Sequence, residues 1–174
     1  MDAQNIFKEI KAEELTGNPF TKLSKDWTLI TAKKDNKVNT MTASWGGFGV
    51  MWNKNVAYIV IRPQRYTKEF VDSSDRFSLS FFDNSYKDKL SYLGTVSGRD
   101  EDKIAKANLT ITSDNDTPYF YEADTVLICK KLLATDFKED NFIDKSIIDK
   151  NYPKEDYHTL YIGEIEKVLV KNNN

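Results

Sequence analysis

The chain has 174 residues, a length that suits one domain spanning residues 1–174, with roughly 70% of the unfolded surface removed on folding. Lys and Arg number 25 against 27 Asp and Glu, a net charge of -2, so the basic excess of a general nucleic-acid binder is missing. A single cysteine, Cys129, excludes an intrachain disulfide and a CxxC metal site, and its apolar surroundings, "TVLICKKLL", predict a buried thiol.

The start, "MDAQNIFKEIKAEEL", lacks the basic segment and apolar run of a secretory signal. No apolar run approaches the 18 or so residues that a membrane helix needs. A cytoplasmic protein without a membrane partner is the expectation. "WTLITA" (27–32) and "VAYIVIR" (56–62) then read as strands, the second apolar almost throughout and so expected to be covered on both faces. "YTKEFVDSS" (66–74) reads as a short helix with Thr67 as its N-cap. "RFSLSFF" (76–82) alternates like a strand, with Phe77, Leu79 and Phe81 on one face. "YKDKLSYLG" (86–94) and "RDEDKIAKANL" (99–109) are predicted helices. "DTVLICKKLLATDF" (124–137) and "YHTLYIGEIEKVLVK" (157–171) are long strand candidates, with Gly163 marking a bulge or bend. Residues 136–156 are charged and read as a surface excursion, and the tail "KNNN" as frayed. The sum is a mainly β antiparallel barrel or sandwich with short peripheral helices.

Against 30% charged residues overall, "NTMTASWGGFGVMW" (39–52) carries no charge and three glycines. Two readings are open. Small hydroxyls, bare amides and the Trp45 ring suit a planar heterocycle, since glycine lets a ligand approach the backbone closely. Equally, a barrel corner needs glycine to bend and tryptophan to fill. Arg62 and Arg65 flank Pro63 directly after a strand, either to grip a phosphate or carboxylate or as solvated surface charges. Ser97, Gly98 and Arg99 precede a predicted helix start, where free amides attract anions, and Lys103 follows about one turn in. An ordinary capped loop is the alternative there. The phosphate-loop pattern of nucleotide hydrolases is absent, as is a GxSxG elbow, and one histidine with one cysteine leaves too few zinc ligands, so no metal site is expected.

The ordered series "NTMTASWGGFGVMWNKNVAYIVIRPQRYTKEF", "RFSLSFF", "LGTVSGRDEDKI" and "YHTLYIGEI" resembles the flavin reductase-like family of FMN-binding split barrels, in its flavoredoxin-type branch, from about Trp27 to Val168. The resemblance implies a Greek-key split barrel that forms a homodimer, with FMN near the subunit interface. It implies that Thr42, Ala43, Ser44 and Trp45 line the flavin ring and ribityl chain. Arg62, Pro63, Arg65, Tyr66 and Thr67 would shape the ring and phosphate site, Ser80 and Phe81 a wall. Ser97, Gly98, Arg99 and Lys103 would hold the phosphate. NADH or NADPH is the implied donor to the flavin, with a small-molecule acceptor or a redox partner protein. Many members carry Gly-Asp-His before the last strand; here "EDYHTLYIGEI" keeps only the histidine, His158, which is the candidate catalytic residue or else a structural hydrogen-bonding group. The functions in competition are an FMN-dependent oxidoreductase, a non-catalytic FMN electron carrier, and a small-molecule-binding barrel without redox chemistry.

Overall fold

The computed structural model describes residues 6–172. Its strands are β1 (Phe7–Ile10), β2 (Thr28–Lys34), β3 (Lys37–Ala43), β4 (Gly46–Met51), β5 (Lys54–Ile61), β6 (Arg76–Phe81), β7 (Ile111–Asp114), β8 (Thr117–Phe120), β9 (Thr125–Asp136) and β10 (Thr159–Lys171). Helices are short: α1 (Pro19–Thr21), α2 (Thr67–Ser73), α3 (Lys87–Thr95), α4 (Lys103–Lys106) and α5 (Ser146–Asn151). The main sheet runs β3-β2-β6-β9-β10-β5-β4, with β1 added to β10 and β7–β8 as a separate hairpin. Every pairing is antiparallel.

The sheet curls around one apolar core. Ile30, Met41, Ile59, Ile61, Phe77, Leu79, Leu127 and Tyr161, drawn from six strands, meet inside it. A second cluster packs α3 and β8 on the opposite face through Leu90, Leu93, Phe120 and Val126. The end strands β3 and β4 do not pair with each other, so the barrel is split. Cys129 is buried, as its surroundings predict. Among the described residues no helix is long and apolar enough to cross a membrane.

Local chemistry explains the turns. Trp52 and Asn53 join β4 to β5 with φ of 53° and 57°, and Asn115 and Asp116 join β7 to β8 with φ of 44° and 67°. Two successive left-handed residues match the twist of a tight hairpin. Gly163 sits at a register shift between β10 and β9, where an added Cβ would lie 2.9 Å from the Phe77 ring.

Several expectations change. The uncharged stretch 39–52 supplies most of β3 and all of β4, and its three glycines all lie in β4. Strand β5 is not covered on both faces: Tyr58 is 42% exposed and Val60 half-buried. Thr67 begins α2 as its first helical residue, and the N-cap position falls on Tyr66, which makes no side-chain cap. The helix predicted over 99–109 contracts to four residues, because Asp102 caps the amide of Ala105 and Asn108 turns left-handed at φ 51°. The excursion 136–156 is more than charged surface, since it folds α5 and buries Tyr152 against the start of β10. Of the tail, Asn173 and Asn174 lie outside the described residues.

Candidate functional site

The seam of the split barrel holds a cleft of about 240 Å³. Thr42, Ala43, Ser44 and Trp45, running off the end of β3, make one wall. Val60 and Arg62, at the end of β5, face them, and Arg65, Gly94 and His158 close the ends. The position follows from topology. β3 is an end strand paired only with β2, and Ser44 and Trp45 lie past the last pair, Thr28–Ala43. Their backbone groups therefore stand outside the ladder, beside the opening. Trp45 is 48% exposed, and its ring packs against His158 with centroids 5.3 Å apart.

One end of the cleft is cationic. Arg65 Nη1 donates to the Gly94 carbonyl at 2.9 Å. Lys103 Nζ, 3% exposed as a residue, donates to the carbonyls of Leu93 and Val96 at 2.8 and 2.9 Å. These carbonyls belong to the last turn of α3 and the residue after it, where a helix leaves its acceptors unpaired and cations are favoured. Burial, with the nearby Arg65 charge second, pulls the Lys103 ammonium down to about 8. Burial also lowers Arg65. Neither cation has a carboxylate partner within the described residues. Two partly desolvated positive charges side by side are costly unless an anion joins them.

The other end is held by the 136–157 segment. Arg62 pairs with Asp156 at 2.6 Å, donates to the Asn151 carbonyl at 2.9 Å, and lies over the Tyr152 ring at 5.1 Å. His158 Nδ1 lies 2.8 Å from the Tyr152 hydroxyl. Burial first, then the Arg62 charge, pushes the imidazole down to about 4, so His158 is neutral at pH 7 and cannot serve there as an imidazolium acid.

The remaining expected site residues fall into three positions. Pro63 occupies the exposed turn in which the Arg65 amide donates to the Arg62 carbonyl at 3.1 Å. Ser97, Gly98 and Arg99 form a second turn beside it. The Arg99 amide donates to Ser97 Oγ at 3.2 Å, and a Cβ on Gly98 would lie 2.2 Å from Asn39 Oδ1. Arg99 stacks on Tyr66 at 4.5 Å and pairs with Glu69 at 2.6 Å, so its charge is already met. Thr67 is buried and accepts from Asn39 Nδ2 at 3.0 Å, which ties α2 to β3 behind that turn.

Three expectations are corrected. The helix expected to follow Ser97, Gly98 and Arg99 directly begins only at Lys103, with Asp102 as its N-cap, so the turn stands apart from the helix start. Lys103 points inward to the end of α3 instead of lying open on a helix start. Ser80 and Phe81 form no wall of the cleft: Phe81 faces the inner core against Phe48 at 6.0 Å, and Ser80 lies in register with Leu29 and Val126. Sequence reasoning missed Asn39, Gly94, Tyr152 and Asp156. The aromatics set among the charges of 136–157 were the available signal for the last two.

The split barrel is a fold of FMN-binding proteins already solved. The fold is similar to the FMN-binding domain of a flavin reductases-like enzyme from Shewanella baltica OS155, with a TM-score of 0.68 and 15% identity, covering 94% of this chain and 76% of that one. It is similar to flavoredoxin from Methanosarcina acetivorans, with a TM-score of 0.66 and 21% identity, covering 82% and 67%. It is similar also to flavoredoxin of Desulfovibrio vulgaris (Miyazaki F), with a TM-score of 0.65 and 23% identity, covering 94% and 75%. A family model described as "Flavin reductase like domain" matches residues 20–174, and the chain belongs to that family. No functionally curated protein matches it.

Proposed function

We propose that this chain is an FMN-dependent oxidoreductase that moves a hydride or electrons from NADH or NADPH to an acceptor. The observation that carries the reading is the cleft's polarity: an aromatic, backbone-lined end at Ser44–Trp45, and an end where Arg65, with the buried Lys103 ammonium near it, has no carboxylate partner among the described residues. FMN divides the same way, into a planar heterocycle and a phosphate of about -1.5 to -2 charge. The residues fit it. Arg65 and Lys103 would meet the phosphate, Thr42–Trp45 the ribityl chain and ring, and His158 the ring edge. When bound, FMN supplies the redox chemistry, and the protein supplies binding, orientation and exclusion of water. An apolar hollow of about 560 Å³ adjoins the cleft and shares Ser44 and Trp45 with it. Phe20, Leu23 and Tyr58 also line that hollow, and it offers a planar donor or acceptor a place beside the ring.

FMN is expected to bind at least tenfold more tightly than riboflavin, because one charge-assisted hydrogen bond is worth roughly 1.5–3 kcal/mol. Fluorescence titration checks this, and equal affinities would sink the phosphate assignment. Anaerobic mixing of the FMN-loaded protein with NADH and with NADPH then tests the donor. The electron-carrier reading keeps a place because the Gly-Asp before His158 is replaced and Asp156 is occupied by Arg62. It prevails if dithionite bleaches the flavin band and neither nicotinamide does.

The working unit in this proposal is a homodimer. The cleft volume, about 240 Å³, falls below the ~300–1,000 Å³ of typical ligand pockets. Beside it the outer face of the sheet carries an apolar row, Tyr58, Ile162 and Leu133, in register across β5, β10 and β9. Tyr58 and Leu133 are 42% and 36% exposed. A second copy on that face would cover the row and deepen the cleft. Sedimentation at micromolar concentration is expected to give the dimer mass, and a monomer mass would count decisively against the proposal.

A further inference from the structure

Tyr152 is the point where the 136–157 segment grips the cleft. It is 3% exposed, its ring lies under Arg62, and its hydroxyl reaches His158 Nδ1. Tyr157 and Phe142 brace the ring from behind, with centroids 5.1 and 5.6 Å away. The direction of the hydroxyl–imidazole bond follows from satisfaction. A phenol has one hydrogen to place, and among the described residues the Tyr152 hydroxyl has no other partner. If it accepted from an Nδ1–H, its own hydrogen would be buried without an acceptor, at a cost of about 1–3 kcal/mol. Donating to Nδ1 removes that cost. A neutral imidazole carries one N–H, so the hydrogen is then on Nε2.

Nε2 has no protein partner in the described hydrogen bonds. Among the described residues the only buried side-chain nitrogen or oxygen left unsatisfied is Ser80 Oγ. Nε2 is therefore not sealed in the core, and His158 lines the cleft. We propose that Tyr152 is a positioning residue: it fixes His158 as the Nε2–H tautomer and so gives the cleft a neutral hydrogen-bond donor for an acceptor oxygen or nitrogen on the edge of the flavin ring. The proposal rests on the FMN reading above. A protonated histidine would bring a full charge beside Arg62, whereas the fixed neutral tautomer offers a directed N–H without it.

His158 is the only histidine, so the imidazole nitrogen spectrum of histidine-labelled protein contains a single ring. The free protein at pH 7 is expected to show a protonated Nε2 and an unprotonated Nδ1. Adding FMN is expected to move the Nε2 resonance. Tyr152→Phe keeps the ring under Arg62 and removes only the hydroxyl. It is expected to give averaged tautomer signals and to weaken FMN by about fivefold, the worth of one hydrogen bond. A wild-type ring protonated on Nδ1 would overturn the proposal without any variant. So would bound FMN that leaves Nε2 unmoved, or a Tyr152→Phe spectrum identical to wild type. Absence of FMN binding by titration would instead overturn the flavin reading and the acceptor assigned here, while the free-protein spectrum still reports the tautomer.

Discussion

Replacing Gly46 by alanine is expected to destabilise the protein by about 2–6 kcal/mol, combining left-handed backbone strain with overpacking. Gly46 has φ of 151°, a conformation that side-chain-bearing residues rarely adopt. An added Cβ would lie 2.5 Å from the backbone carbonyl oxygen of Tyr58. That oxygen belongs to β5, next to Ile59, with which Gly46 is in register. No rotamer change relieves a backbone clash, so β4 must move away from β5 just where Ser44 and Trp45 leave β3. Loss of that size is a large part of the ~5–15 kcal/mol that holds a domain together. Gly49 is the control. Its Cβ would meet nothing within 4 Å, so Gly49→Ala should be neutral or stabilising by about 0.4–1 kcal/mol through the unfolded state. Urea denaturation of the three proteins checks the contrast. Equal midpoints for the two variants would show that β4 is free to slide on β5.

The same glycines show what the sequence hides. Gly46 and Gly47 reject a regular strand by propensity, yet both sit in β4. Gly46 lets β4 pass the Tyr58 carbonyl, and Gly47 leaves room for the Tyr58 ring. Such permission depends on the partner strand, which local pattern does not reveal. Strands β2, β5, β6, β9 and β10 were legible because alternation and β-branched runs are local properties. At the cleft, Thr42–Trp45, Arg62, Arg65 and His158 come together from three separate stretches of the chain. The misplacements arise from long-range contacts. Lys103 reads as a free charge in sequence, but its ammonium is drawn to carbonyls at Leu93 and Val96. Ser80 and Phe81 alternate correctly in β6, but alternation does not say which side of a curled sheet faces the seam. Tyr152 and Asp156 hold Arg62 across some ninety residues of chain, and the lysines and acids around them mask the buried face of that segment.

Arg65→Ala is expected to weaken FMN binding roughly tenfold to a hundredfold, from the ~1.5–3 kcal/mol of a charge-assisted hydrogen bond. Arg65 is half-buried, holds the Gly94 carbonyl through Nη1, and has no carboxylate partner in the described residues. Its charge is therefore available to a phosphate, and its planar fork suits one. Sequence alone gives Arg99 the same standing, but the structure separates the two. Arg99 is 45% exposed along its side chain and already paired with Glu69. An exposed charge of this kind contributes about 0–1 kcal/mol, so Arg99→Ala should change FMN affinity by no more than about fivefold. Riboflavin titration distinguishes a phosphate contact from general damage to the cleft. If Arg65 meets the phosphate, Arg65→Ala lowers FMN affinity and leaves riboflavin affinity near wild type, so the preference between the two ligands collapses. The wild-type preference should also shrink with added salt, because even a partly buried ion pair feels screening. Equal losses for both ligands would mean that Arg65 acts through Gly94 and the end of α3, and the anion would then belong to Lys103 and the neighbouring 97–99 turn.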